Sequence, residues 1–117
     1  MNITLYGIPN CDTVKKARAW LDGQGVAYTF HDFKKNGITP ELVAGWLRDV
    51  PWDALVNRKG TTWRKLSDAQ KAAATDEAGA AALMLASPSV IKRPVLTGAG
   101  KTSVGFSADM YDHLFRK

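Results

Sequence analysis

Cysteine is almost absent from this sequence: Cys11 is the only one in 117 residues. That excludes an internal disulfide, a Cys-X-X-Cys redox pair and any zinc site built on several cysteines. Sulfur chemistry at Cys11 must therefore take its second thiol from another molecule. Histidine is nearly as scarce. His31 and His113 have no ligand-like spacing, so both read as surface or strand-edge residues, and no metal or bound cofactor is expected. Long apolar runs are also lacking. The longest, Ala78 to Ala86 with one Gly inside, falls well short of the roughly 20 residues of a spanning helix. The start, Met1-Asn2-Ile3-Thr4-Leu5, lacks the charged beginning, apolar middle and cleavage site of a secretory signal. A cytoplasmic location and no membrane partner are the expectation.

Nor is there a long run of one charge. Sixteen Lys and Arg against eleven Asp and Glu give +5, which favours anionic ligands in general. The basic residues are dispersed as short groups, among them Lys15-Lys16, Lys34-Lys35, Lys92-Arg93 and Arg116-Lys117. No nucleic-acid motif accompanies them, and no nucleic-acid partner is expected. The four tryptophans, Trp20, Trp46, Trp52 and Trp63, read as packing residues and not as a base-stacking platform.

What is present fits one domain spanning residues 1–117. Ile3 to Tyr6 reads as a first strand ended by Gly7-Ile8-Pro9-Asn10. From Asp12, apolar Val14, Ala17 and Leu21 fall at helical spacing until Gly23-Gln24-Gly25 stops the pattern. Val26 to Phe30 reads as a second strand, parallel to the first through a helical crossover. The stretch from about 39 to 86 reads as a helical insert of three or so helices. Its start signals are Thr39-Pro40-Glu41, the capping-box pattern Ser67-Asp68-Ala69-Gln70, and Thr75-Asp76-Glu77. Val95-Leu96-Thr97 and Thr102 to Phe106, joined by Gly98-Ala99-Gly100-Lys101, read as a β-hairpin. Ser107-Ala108-Asp109 then caps a last helix. Gly100-Lys101-Thr102 imitates a phosphate-binding loop, but that motif needs Gly where Val95 stands and a helix directly afterwards.

Cys11 thus stands where the first helix begins, at the carboxyl end of a parallel strand, where α/β proteins place ligands. A negative charge at a helix N-terminus gains about 0.3 to 1 kcal/mol, so the thiolate is favoured there. Lys15 and Lys16 should add to this and Asp12 should oppose it. The Thr13 hydroxyl or the amides of Asp12 and Thr13 are the expected donors to sulfur.

Three ordered segments carry a family resemblance over nearly the whole chain: Tyr6 to Ala17 (YGIPNCDTVKKA), Asn57-Arg58-Lys59-Gly60, and Ile91-Lys92-Arg93-Pro94-Val95. The sequence resembles the arsenate reductases coupled to glutaredoxin and their Spx and YffB relatives, most of all the YffB type. This resemblance implies an α/β, thioredoxin-like fold: a four-stranded mixed sheet with β-α-β, a helical insert, a β-hairpin and a C-terminal helix. It implies that Cys11 is the nucleophile, that Asn10, Asp12, Thr13 and Lys15 surround the substrate, that Arg58 and Arg93 bind its anionic groups, and that Pro94 is cis. Arginine suits that role, since its planar fork can hold a carboxylate or an oxyanion in bidentate fashion.

Two departures bear on the substrate. Arsenate reductases of this type have a third arginine after the last hairpin strand and a histidine shortly before the cysteine. This chain has Gly105-Phe106-Ser107 and Tyr6-Gly7 instead. Spx-like regulators, which bind RNA polymerase, commonly switch through Cys-X-X-Cys, whereas Val14 stands at the second position here. The expected function is a glutathione-dependent thiol reductase acting on disulfides or glutathione mixed disulfides, with glutathione as co-substrate and glutaredoxin or another thiol protein as a further partner. Arsenate reduction on the same cysteine and non-enzymatic protein binding are the alternatives.

Overall fold

The computed structural model describes residues 2–115; Met1 and the basic pair Arg116-Lys117 lie outside them. These residues form two compact units. One comprises the described residues within Met1–Gly37 and Arg93–Lys117, the other is Ile38–Lys92.

The first unit carries the sheet. Strand β1 (Thr4–Gly7) is followed by helix α1 (Asp12–Gly23), strand β2 (Thr29–Asp32) and the single-turn helix α2 (Phe33–Asn36). After the second unit come β3 (Val95–Thr97), β4 (Ser103–Val104) and α8 (Ala108–Phe115). The sheet order is β2-β1-β3-β4. β1 runs parallel to β2, with Leu5 opposite Phe30, and antiparallel to β3, with Tyr6 opposite Val95. Helix α1 buries Val14, Ala17 and Leu21, the three positions its periodicity predicts, and Ala17 and Leu21 join Ile3, Leu5, Leu96, Ala99 and Tyr111 in one core cluster. Helix α8 is capped by the Ser107 hydroxyl, which accepts from the Met110 amide at 3.0 Å.

Strand β2 begins three residues later than the apolar run Val26 to Phe30 suggests. Val26 is used instead to close α1: its N–H donates to Leu21 O (3.0 Å), Gly25 N–H donates to Asp22 O (3.1 Å), and Gly25 has φ +68°. That is a Schellman C-cap, with glycine at the left-handed position. Strand β4 is likewise shorter than Thr102 to Phe106. Gly105 leaves the strand at φ +79°, although its N–H still reaches Pro94 O at 2.9 Å. The turn between β3 and β4 uses Gly98 and Gly100, both at positive φ, and a Cβ on Gly98 would collide with the Asn2 carbonyl oxygen.

The second unit is helical: α3 (Pro40–Asp49), α4 (Trp52–Leu55), α5 (Thr61–Arg64), α6 (Asp68–Ala73) and α7 (Glu77–Ala86), then a 3-10 turn over Pro88–Val90. Five helices replace the three or so expected, because α4 and α5 are single turns too short to show helical periodicity. The three longer helices start where their caps predict. The Thr39 side chain accepts from Leu42 N–H, Ser67 and Gln70 form a reciprocal capping box, and the Asp76 carboxylate accepts from Gly79 N–H at 2.7 Å. Val43, Trp46, Leu55, Ala80, Met84 and Ile91 are buried within it, and an isolated antiparallel bridge joins Val56 to Ile91.

Candidate active site

Cys11 is the N-cap residue of α1, with extended backbone (φ −87°, ψ 127°). Its own N–H donates to Ile8 O at 3.2 Å and its carbonyl accepts from Lys15 N–H at 2.9 Å. The turn Gly7-Ile8-Pro9-Asn10 thus delivers the sulfur to the first turn of a helix whose amides have no intrahelical acceptors. Gly7 is what lets α1 start so close to β1. A Cβ there would sit 2.7 Å from Cγ2 of Val14, closer than packed carbons approach.

The Cys11 side chain is half-buried. Burial pushes its thiol up, but four influences outweigh it and bring the thiol below its ordinary value: the Val14 amide, a hydrogen bond from Arg93, the Thr13 amide, and the positive charge of Arg93. The thiol makes no fully aligned cap hydrogen bond, so the amides act as neighbouring dipoles and the guanidinium is the side-chain partner. The sheet brings that partner in. Because β3 runs antiparallel to β1 with Val95 opposite Tyr6, the residues just before Val95 lie beside those just after Tyr6. The Arg93–Pro94 peptide bond is cis, as the family resemblance implies, and Pro94 is buried.

The other residues singled out in the sequence divide accordingly. Thr13 lies at the sulfur through its amide. Asn10, Asp12 and Lys15 are exposed around the turn. The charges of Lys15, Lys16 and Asp12, expected to tune the thiol, are not among the groups that do so; all three side chains face solvent, where water screens them. Among the amides that act on the sulfur, that of Val14 takes the place expected of Asp12. The signal for it was present: an N-cap group accepts from the second and third helical amides, which here are Thr13 and Val14. Arg58 belongs to the second unit, where it is exposed with its guanidinium carbon 5.9 Å from the centre of the Trp52 ring. The ring nitrogen Nε2 of His31 lies 2.7 Å from Gly37 O, and His113 is exposed on α8. Among the described residues, no group of three His, Cys, Asp or Glu side chains is placed to hold a metal ion, and no helix is long and apolar enough to cross a membrane.

Comparison with known proteins gives a consistent result. The ArsC family model matches residues 6–114. An uncharacterized protein of Haemophilus influenzae is 38% identical over 113 residues, covering 97% of this chain and 98% of that protein. The solved YFFB protein superposes with a TM-score of 0.92 at 54% identity, over 97% of this chain and 98% of its own. An arsenate reductase (ArsC) related protein from Brucella melitensis gives a TM-score of 0.75 at 50% identity, covering 100% of this chain and 97% of its own. The fold is thioredoxin-like, built on the four-stranded mixed sheet β2-β1-β3-β4.

Proposed function

We propose, from the premise that this chain belongs to the ArsC family, that it is a glutathione-dependent thiol reductase acting on disulfides or glutathione mixed disulfides. The observation that carries this reading is the state of Cys11: half-exposed at a helix N-terminus, with a thiol lowered by the amides of Val14 and Thr13 and by Arg93. A thiolate, not a thiol, is the attacking species in disulfide exchange. The sulfur of Cys11 attacks one sulfur of the substrate disulfide, the S–S bond breaks, and the departing sulfur takes up a proton as a free thiol. Cys11 is then joined to the retained half in a mixed disulfide. With no second cysteine in the chain, an external thiol must resolve it. Glutathione attacks, a new disulfide leaves, and the Cys11 thiolate returns. For a glutathione mixed disulfide attacked at its glutathione sulfur, one added glutathione completes the reduction and glutathione disulfide leaves; for any other disulfide the first turnover releases a mixed disulfide of glutathione, and a second turnover with a second glutathione converts it to thiol and glutathione disulfide. In this cycle Arg93 holds the thiolate between turnovers, and Asn10, Thr13 and Lys15, with the backbone at the cis Arg93–Pro94 bond, form the surface on which glutathione settles. The reaction requires no bound cofactor.

The missing third arginine, replaced by Gly105-Phe106-Ser107, weighs against arsenate. The test is a glutathione-dependent turnover assay run in parallel on a glutathione mixed disulfide and on arsenate, with Cys11→Ser as control. Turnover of the mixed disulfide that vanishes in Cys11→Ser is the expected result. Turnover of arsenate alone moves the assignment to arsenate reduction. Rates unchanged by Cys11→Ser on every substrate overturn the enzymatic reading and leave a protein-binding role.

A further inference from the structure

Val104 of β4 stands opposite Val95 of β3, and Ser103 opposite Leu96, so the next pair along the same register is Gly105 with Pro94. The Gly105 N–H donates to the Pro94 carbonyl oxygen at 2.9 Å. A hydrogen-bonded antiparallel pair normally exchanges two backbone bonds, but proline has no N–H to give back. One hydrogen bond therefore does the tying at this pair. Arg93, whose guanidinium meets the Cys11 sulfur, immediately precedes Pro94 in the chain.

Gly105 is buried and has φ +79°. That conformation keeps its N–H on the ladder while the next residue turns out of the strand. Phe106 then packs edge-on against Tyr111, with ring centres 4.7 Å apart, beside the core cluster of the first unit. Positive φ is disfavoured for a residue with a Cβ, and asparagine tolerates it better than alanine. With alanine at this position the backbone relaxes toward negative φ, and the bond to Pro94 and the seat of Phe106 can no longer both be kept.

We propose that Gly105 is a positioning residue for the site: its N–H, held in place by the positive φ and by the seated Phe106 ring, fixes Pro94 and so aims the Arg93 guanidinium at Cys11. This role rests on the reading of Cys11 as the attacking sulfur. It is exerted wholly through Arg93, from the last strand of the sheet, so that the reactivity of a cysteine at the start of the chain depends on a backbone amide near its end.

The rate of Cys11 alkylation by iodoacetamide against pH, with circular dichroism melting of each variant, tests this. Gly105→Ala should displace the profile to higher pH and slow labelling at pH 7 several-fold, toward the level of Arg93→Ala. Gly105→Asn, which keeps the N–H and tolerates positive φ, should recover most of that rate. In the Arg93→Ala background, Gly105→Ala should displace the profile no further. Gly98→Ala, whose Cβ would meet the Asn2 carbonyl oxygen in the same hairpin, is the stability control: it should lower the melting temperature and leave the profile where it is. A Gly105→Ala profile that coincides with the parent's, while that of Arg93→Ala is displaced, overturns the proposal and leaves the thiol reading standing. Equal displacement by Gly98→Ala also overturns it, because lost stability then accounts for the effect. A profile unmoved by Arg93→Ala brings down both the proposal and the thiolate held by Arg93. If Gly105→Ala does not fold, hydrogen exchange in the parent decides: the Gly105 amide should be strongly protected, and exchange at the rate of a free peptide amide overturns the proposal.

Discussion

The guanidinium of Arg93 hydrogen-bonds to the sulfur of Cys11, joining the end of one chain segment to the start of a helix laid down at the opposite end of the sequence. Its charge is permanent, so it stabilises the thiolate at any pH at which the protein is folded. Arg93→Ala removes both the hydrogen bond and the charge while burial continues to push the thiol up. The Cys11 pKa should rise, and the rate of alkylation by iodoacetamide at pH 7 should fall several-fold. Arg93→Lys, which keeps the charge and loses the planar fork, should recover part of that rate. An alkylation profile against pH identical in all three proteins would contradict the arrangement.

The same interaction has a stability signature. The folded-state thiol is lowered from its ordinary value of 9.0, so the thiolate form adds stability that is fully present above that value and is lost as pH falls through the lowered one. Denaturant unfolding of the parent and of Cys11→Ser, compared at pH 6 and pH 9, should show the parent gaining on the serine variant as pH rises. A difference that stays flat over this window would mean that Cys11 titrates alike in the folded and unfolded chain.

Gly7→Ala should destabilise the protein by about 1–3 kcal/mol, the usual cost of forcing carbon into a packed site, because the new methyl meets Val14 Cγ2. Since the Val14 amide also serves the sulfur, Cys11 alkylation should slow in the same variant. Adding Val14→Ala should relieve the collision, so the double variant should be more stable than the sum of the two single costs predicts. Strict additivity in urea titrations would argue against contact between the two positions.

Tyr111 is fully buried among Trp20, Phe106 and Phe115, and its hydroxyl has no hydrogen-bond partner among the described residues. Desolvation there pushes the phenol well above the ordinary tyrosine range. A buried polar group left unsatisfied costs about 1–3 kcal/mol, so Tyr111→Phe should raise the urea midpoint with no change in slope. A lower midpoint would show that the hydroxyl has a partner in solution.

Much of this architecture was legible in the residues themselves, and the parts that were not have local causes. The buried stripe of α1, the caps of α3, α6 and α7, and the glycine turn of the hairpin are short-range events, decided by neighbours within four positions. The displaced start of β2 was not readable from its composition. Val26 suits a strand, yet the helix end claimed it, and a C-cap with glycine at the left-handed position competes with β-propensity over the same residues. The single turns α2 and α4 carry too few residues to display a period. Asp32, whose carboxylate accepts from Lys34 N–H at 2.9 Å, was nonetheless an available start signal for α2. At the site, the position of Cys11 follows from the strand-turn-helix order alone, whereas the approach of Arg93 depends on the antiparallel pairing of β1 with β3, a long-range choice that no local pattern encodes.

The first turn of α1 both anchors the core, through fully buried Val14, and cradles the sulfur. Ordinary cysteines are shielded by the native state and become open to reagents when it melts. Here a second effect runs the other way: denaturation strips Cys11 of its neighbouring dipoles and its cation, lets its thiol return toward the ordinary value and blunts the nucleophile. Labelling speed on melting therefore combines two opposed changes, exposure gained and ionisation lost.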